Sequence, residues 1–276
     1  MNVKTLVKNI LKTKETIPIQ HVIEYNKVLN GKVAIIVGGS GGIGLAIAKS
    51  FLESGCKIIL CGTNKNKLEN SLSEFNNCKN IKPMIFDMTD ISSFKNSIEK
   101  AASIFGKIDI LVNAAGVHTE NVNFFSMTPE EFDRIININI RGVYFLCKEF
   151  AEYIKNNTEC EGKKHILLIS SSRGNEPAWT PYGISKWALN GLTQGLAQFL
   201  LPYGIVVNAI APGSTATPLI GINKGDSIYS EENGNHRLIM PDEIANFAKL
   251  LVSPSGDMIV GDVVYISGGR GVFDIR

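Results

Sequence analysis

The chain has almost no excess of charge: 28 Lys+Arg against 26 Asp+Glu leave a formal net charge of +2 over 276 residues. That balance excludes a protein held to nucleic acid by a basic surface, and equally a disordered acidic chain. No apolar run approaches the roughly 18 residues of a membrane span, so no integral membrane association is expected. The N-terminal segment MNVKTLVKNILKTKETIP scatters lysines among its apolar positions, which excludes a signal peptide. Cysteine is sparse: Cys56, Cys61, Cys78, Cys147 and Cys160 are odd in number and form no CxxC pair. Without a secretory signal they read as reduced thiols, and a cytoplasmic location is expected. His21, His118, His165 and His236 lie far apart, with no HExxH and no Cys/His spacing, so no metal is expected. Repeats, low-complexity tracts and Pro/Gly/Ser-rich linkers are also missing, and nothing marks a domain boundary.

What recurs is a short apolar run followed by a helical period. Val33-Ala34-Ile35-Ile36-Val37 is a β-branched run suited to a strand buried on both faces. After a glycine cluster, Ile43, Ala46, Ile47, Ser50 and Phe51 follow the i, i+3, i+4, i+7, i+8 spacing of an amphipathic helix. The same pairing returns at Ile58–Leu60 and Leu68–Phe75, then at Met84–Phe86 and Phe94–Ile98. Ile108–Val112 precedes a long helix over 130–156, with Thr128 as N-cap and Pro129 at N1. Further strands are expected at Ile166–Ile169, Ile205–Ile210 and Val263–Ile266, with helices over 182–200 and 242–252. This alternation predicts an α/β fold: one doubly wound parallel sheet of about seven strands with helices on both faces.

Two short motifs carry chemistry. Gly38-Gly39-Ser40-Gly41-Gly42-Ile43-Gly44 lies directly after the first strand and opens the first helix. There Gly38 allows a tight turn, Gly42 a close backbone approach to a pyrophosphate, and Gly44 helix–strand contact, while the helix N-terminus offers orphan N–H groups. The spacing is GxxxGxG rather than GxGxxG, and by itself it also fits a glycine turn with no ligand. Tyr182-Gly183-Ile184-Ser185-Lys186 places Tyr182 and Lys186 on one helix face. An ammonium beside a phenol favours phenolate, so the pair suits general acid/base work, although an ordinary surface pair has the same spacing.

Taken together, these residues resemble the short-chain dehydrogenase/reductases, in their compact single-domain, Rossmann-like branch, from about Gly31 to Gly269. Asp87-Met88 resembles the pair that holds adenine, and Asn113-Ala114-Ala115-Gly116 the NNAG strand end. Asn139 stands at the family's helix asparagine, and Ser170-Ser171 end the fifth strand. Pro212-Gly213, with Thr215 and Thr217 after them, resembles the PGxxxT segment beside the nicotinamide. The resemblance implies that Tyr182 exchanges the proton on the substrate oxygen, Ser171 polarises that oxygen, Lys186 assists Tyr182 and holds the nicotinamide ribose, and Asn139 holds a relay water. Ser170 competes with Ser171, which the Ser-x-x-Gly pattern of Ser171 to Gly174 favours. The resemblance also implies a homotetramer or dimer built on the helices bearing Asn139 and Tyr182.

The sequence departs from the pattern at Val37, Ala114 and Ser267, and the stretch from Ser171 to Tyr182 is shorter than the resemblance leads one to expect. Gly62 stands where an NAD enzyme places its ribose-binding acid, and Thr63, Asn64, Lys65 and Lys67 follow, which favours NADP(H) over NAD(H). A lid over 218–240 carries Lys224, Asp226, Tyr229, Glu231, Glu232, His236 and Arg237. With Arg173, Glu176, Trp179 and His118 near Tyr182, and Arg141 within possible reach, it points to a polar or sugar-like carbonyl or alcohol. The alternatives are a 3-oxoacyl-carrier-protein-type reductase and a non-catalytic NAD(P)-sensing protein, the latter disfavoured by the complete Asn139, Ser171, Tyr182 and Lys186 set. Residues 1–30 form an extension outside the resemblance, where Val3, Leu6, Val7, Ile10 and Leu11 make one apolar helical stripe opposite Lys4, Lys8 and Lys12. Packing on this chain or another subunit is expected there, with a membrane surface as the alternative.

Overall fold

The run Val33–Val37 has no polar position in it, and every one of its residues is buried. A strand of that kind needs cover on both faces. The computed structural model of the chain, which describes residues 27–272 apart from 77, 121, 158–161, 224 and 232, supplies it. Seven strands, β1 (Val33–Val37), β2 (Lys57–Gly62), β3 (Ile81–Ile85), β4 (Ile110–Asn113), β5 (Lys164–Ile169), β6 (Ile205–Pro212) and β7 (Val263–Ile266), pair in parallel in the order β3-β2-β1-β4-β5-β6-β7.

The helices are α1 (Gly42–Glu53), α2 (Lys65–Ser73), α3 (Phe94–Phe105), α4 (Pro129–Ile136), α5 (Val143–Asn156), α6 (Pro181–Leu200) and α7 (Pro241–Leu251). Successive strand residues point to opposite faces. Val33, Ile35 and Val37 therefore join the core under α3, α5 and α6, with Phe94, Phe150 and Leu189. Ala34 and Ile36 join the core under α1 and α7, with Phe51, Ile244 and Leu251. The strand order reverses between β1 and β4, and in open α/β sheets the crevice beyond the carboxyl ends at that point takes the ligand.

The structure departs from expectation in two places. β3 begins at Ile81 and contains Pro83, which lacks a ladder donor but is tolerated because β3 is an edge strand. The helix expected over 130–156 is instead α4 and α5 joined by a π-helical turn, Asn137–Gly142. The apolar stripe of Val3 to Leu11 lies outside the described residues. No helix among the described residues is long and apolar enough to cross a membrane.

The amino ends of the central strands close over buried charge. Asp109 Oδ1 lies 2.6 Å from Lys164 Nζ, and Oδ2 lies 3.0 Å from Lys107 Nζ while accepting the Val33 N–H at 3.0 Å. Next to it His165 is buried, with Nε2 3.2 Å from Asp257 Oδ1. Burial, reinforced by Lys32, Lys163 and Lys164, pushes the imidazole down to about 4 from its ordinary 6.5. The unfolded chain thus binds a proton between these values that the folded chain refuses, and stability is lost as pH falls from 6.5 toward 4. A shift of that size corresponds to about 3 kcal/mol. Asp257, raised by its own burial, opposes part of it. Denaturant melts at pH 7 and pH 5 should show about 2 kcal/mol of that loss, and His165→Gln should flatten it; an equally steep acid limb in the variant would assign it elsewhere.

Candidate active site

The loop from Gly38 to Gly44 joins β1 to α1 at the switch point. Gly38 has φ +78°, and a Cβ there would stand 2.5 Å from the Ala115 nitrogen. At Gly44 a Cβ would overlap the Gly38 carbonyl oxygen. The N-cap of α1, Gly41, supplies no side-chain hydrogen bond, and its first turn holds no acid. Uncapped N–H groups at the positive end of a helix fit a pyrophosphate. Asn113, at the end of β4, has its buried Oδ1 without a hydrogen-bond partner. Loop, helix end and orphaned acceptor together fit a dinucleotide lying across the carboxyl ends of β1 and β4.

Around this cradle, Asp87 is exposed and its Oδ1 accepts from both the N–H and hydroxyl of Thr89 at 2.8 Å, above buried Met88. Gly62 packs on the loop, so that a Cβ would lie 3.1 Å from Ser40 Oγ. Thr63, Asn64, Lys65 and Lys67 are exposed beside it, but Asn64 caps α2 by accepting the Lys67 N–H at 2.9 Å. At the end of β6, Thr215 donates to the Gly213 carbonyl at 3.0 Å, and Ile43, Pro212, Gly213, Thr215 and Thr217 line a cavity at these strand ends.

The structure brings Asn139, Ser171, Tyr182 and Lys186 together at the carboxyl ends of β4 and β5. Thr180 caps α6 by accepting the Gly183 N–H at 3.0 Å, and Pro181 opens the helix, so Tyr182 sits in its first turn. The phenol shares the cavity wall with Ser171, whose hydroxyl lies near enough to draw its pKa down. Ser171 also accepts the Arg173 N–H at 3.2 Å, whereas Ser170 is turned to Asn190 Oδ1 at 2.6 Å. Lys186 is buried one turn below Tyr182, with Nζ donating to the Ile169 carbonyl at 2.9 Å and lying 5.6 Å from the Tyr182 ring centre. The π turn aims Asn139 at Val117, whose N–H it accepts and whose carbonyl it bonds, both at 3.0 Å, and Nδ2 also reaches Ser185 Oγ at 3.1 Å. Single π turns often mark functional positions.

The electrostatics differ from the simple picture of a lysine drawing the phenol down. Burial raises the Tyr182 phenol above its ordinary value, and the opposing pull comes from Ser171, Arg173 and Arg270. Burial also pushes Lys186 itself down to about 8. His118 stacks on the Tyr182 ring with centres 3.9 Å apart and planes 21° apart. Its own burial, with Lys186 and Arg173 nearby, lowers its pKa and keeps it neutral at pH 7.

Above these groups opens a cavity of about 410 Å³, with His118, Arg173, Trp179 and Arg270 in its walls. Glu176 does not line it; its carboxylate bridges Arg173 Nη1 at 3.0 Å and Arg270 Nε at 2.8 Å. Arg141 lies over the Phe145 ring instead of the cavity. The lid contributes Leu219 and Ile220, while its described charges turn elsewhere: Asp226 accepts the Asn223 N–H at 2.7 Å, Arg237 pairs with Glu243 at 2.7 Å, and Glu231 and His236 are exposed. Lys224 and Glu232 lie outside the described residues. The charge relevant to the cavity is thus in the segment after β5 and near the C-terminus.

Sequence reasoning missed Arg270, Ser214 and Ser185. Arg270 Nη1 reaches Ser214 Oγ at 3.2 Å, and Asn175 donates to the Gly271 carbonyl at 2.6 Å, so the segment after β7 closes one wall of the cavity. The only hint was an arginine inside Ser267-Gly268-Gly269-Arg270-Gly271, far from its partner Glu176 in sequence. Ser267 itself buries its Oγ without a partner.

A family model described as short chain dehydrogenase matches residues 32–225. A 3alpha-hydroxysteroid dehydrogenase of Mediterraneibacter gnavus is 30% identical over 252 residues, covering 87% of this chain and 97% of its own. A 3-oxoacyl-[acyl-carrier-protein] reductase of Thermotoga maritima is 30% identical over 246 residues, covering 87% and 98%. The crystal structure of a 3-ketoacyl-(acyl-carrier-protein) reductase from Brucella melitensis complexed with NADH superposes with a TM-score of 0.81 at 32% identity, covering 88% of this chain and 100% of that one.

Proposed function

Because the chain belongs to the short-chain dehydrogenase family and is an NAD(P)-dependent oxidoreductase of carbonyl and hydroxyl groups, we propose that it acts on a polar small molecule with NADP(H), through Tyr182, Ser171, Lys186 and Asn139. The observation that carries this is the Tyr182 phenol set beside Ser171 in the cavity wall, with Lys186 buried behind it. A phenol raised by burial is protonated at neutral pH and suited to give its proton to a carbonyl oxygen as charge develops there. The Ser171 hydroxyl donates to the same oxygen. When bound, the nicotinamide supplies or accepts the hydride.

The cradle of Gly38, Ser40, Gly41, Gly42, Ile43 and Gly44 would hold the pyrophosphate, with Asp87 and Met88 at the adenine. Asn113, Ala114, Ala115, Gly116, Pro212, Gly213, Thr215 and Thr217 would hold the nicotinamide half. Lys186 would hold its ribose, and Asn139 would keep a water at Lys186 connected to solvent. The polar cavity walls, Thr119, Ser171, Ser172, Arg173 and Ser214, support a polar substrate. A 3-oxoacyl-carrier-protein-type reductase remains the second reading, favoured by the apolar Leu219 and Ile220 in the same walls. A homo-oligomer is also proposed: Tyr144, Phe199 and Tyr203 are exposed on a groove between α5 and α6 that a second copy would cover.

NADP(H) is supported by Gly62, which sets no carboxylate against a 2′-phosphate, and by exposed Thr63, Lys65 and Lys67. Titration followed by nucleotide fluorescence should give NADPH a Kd at least tenfold below that of NADH. Gly62→Asp should weaken NADPH by a similar factor and spare NADH. Tighter NADH binding by the wild type would reverse the assignment.

A further inference from the structure

We propose that the substrate carries an anionic group, a carboxylate or a phosphate, and that Arg173 binds it while the reacting carbon lies at Tyr182. This rests on the oxidoreductase reading above, which places the substrate oxygen at Tyr182 and Ser171. The charged residues in the cavity walls are both arginines, Arg173 and Arg270, and among the described residues no carboxylate lines it. His118, the remaining titratable wall residue near Tyr182, is neutral at pH 7. Among the described residues Glu176 is the acid paired with both arginines, and its two oxygens form the link between them. Two guanidinium groups thus share this carboxylate, and Arg173 and Arg270 both lower the Tyr182 phenol pKa.

The two arginines do different work. Arg270 is largely buried and is tied to Glu176 and Ser214, so it fixes the carboxylate and adds positive potential. Arg173 is half exposed, with a side-chain accessibility of 52%, and its guanidinium meets Glu176 through Nη1. A guanidinium carries five N–H donors in a planar fork that matches a carboxylate or phosphate in bidentate fashion. Glu176 meets one end of that fork, and Arg173 lines the cavity. The backbone of Arg173 is held as well, through its N–H to Ser171 Oγ at 3.2 Å, so the oxygen-binding residue caps the short turn, Ser172–Asn175, that carries the anion-binding one.

The test uses the full-length enzyme saturated with NADP⁺, so that the cofactor's own phosphate sites are filled. Calorimetric titration with malonate and, separately, inorganic phosphate should detect binding of at least one, and which one distinguishes a carboxylate from a phosphate. Arg173→Gln should weaken that binding at least tenfold, Arg173→Lys should recover part of it, and the Kd for NADP⁺ should change less than threefold. In parallel, kcat/KM for 3-hydroxybutyrate over 2-butanol, and for glycerol 1-phosphate over glycerol, should favour an anionic member wherever either is turned over, and Arg173→Gln should collapse that ratio. No binding of either anion, or binding that Arg173→Gln leaves intact, overturns the proposal. Failure of NADP⁺ to bind would instead strike the NADP(H) assignment, and failure of both NADP⁺ and NAD⁺ the oxidoreductase reading itself.

Discussion

Replacing Tyr182 with phenylalanine should lower kcat by about 10²- to 10⁴-fold, the usual contribution of a positioned general acid. The change removes one hydroxyl and little else. The ring keeps its stack with His118, and Lys186 keeps its bond to the Ile169 carbonyl, so the cavity and the cofactor cradle stay in place. NADPH should therefore bind the variant as it binds the wild type, and kcat and kcat/KM should fall together, as they do when an interaction made in the transition state is lost. The pH dependence has a definite sign. Burial raises the phenol pKa, so the protonated form that reduction needs is present throughout the neutral range and is lost only in alkali. Oxidation needs the phenolate, and its rate should rise with pH. Initial rates of NADPH consumption and NADP⁺ reduction across pH 6 to 10 would show the two opposite slopes. A Phe variant within tenfold of wild type would remove Tyr182 from the chemistry.

The second large effect is on stability, at the opposite end of the sheet. Asp109 is 1% exposed and holds buried Lys164, Lys107 and the first N–H of β1. These partners hold its carboxyl below the ordinary value although burial alone would raise it. A carboxylate with a depressed folded pKa stabilises above its unfolded value, and that contribution is lost as pH falls through the folded one. Asp109→Ala would take the carboxylate away from buried Lys164, and breaking a buried pair costs about 3–5 kcal/mol. For a chain of this size that is a drop in Tm of roughly 6–20 °C. Asp109→Ala with Lys164→Met should recover most of the loss, because a buried pair replaced by apolar side chains is often neutral. Thermal melts of the single and double variants at pH 7 distinguish the outcomes. A single variant that melts within about 2 °C of wild type would mean that Lys164 finds water or another partner.

Much of the fold was legible because its signals are local. VAIIV, the glycine loop and the Thr128-Pro129 start of α4 state their own conformation, and each stands where expected. The π turn at Asn137–Gly142 was not legible, since NINIRG keeps a helical period and the extra residue is a matter of tertiary fit. Gly142 shows that fit: a Cβ there would stand 2.5 Å from the Met88 carbonyl oxygen. Edge strand β3 was misplaced because its residues alternate in burial and include Pro83, leaving only Met84 to Phe86 as an apolar signal.

The same division holds within the site. Tyr182, Lys186, Ser171 and Asn139 carry a spacing or a motif that can be read along the chain, and the fold brings them together. Polarity in the lid was a poor guide, because composition does not say which way a charge faces: Arg237 pairs with Glu243, and the lid residues at the cavity are Leu219 and Ile220. Glu176 was placed beside the substrate for the same reason, and the structure makes it a brace between two arginines. Arg270 was invisible because its meaning lies in a contact with residues nearly a hundred positions earlier.

The most direct test is a scan at 340 nm of NADP⁺ reduction over sugars, polyols, hydroxy acids and β-hydroxyacyl thioesters, with wild type and Tyr182→Phe side by side. The expected result is reduction with at least one polar hydroxy compound, strongest where that compound carries a carboxylate or phosphate, and its near-complete loss in the variant. Turnover confined to acyl thioesters, or activity that survives the loss of the Tyr182 hydroxyl, would contradict it.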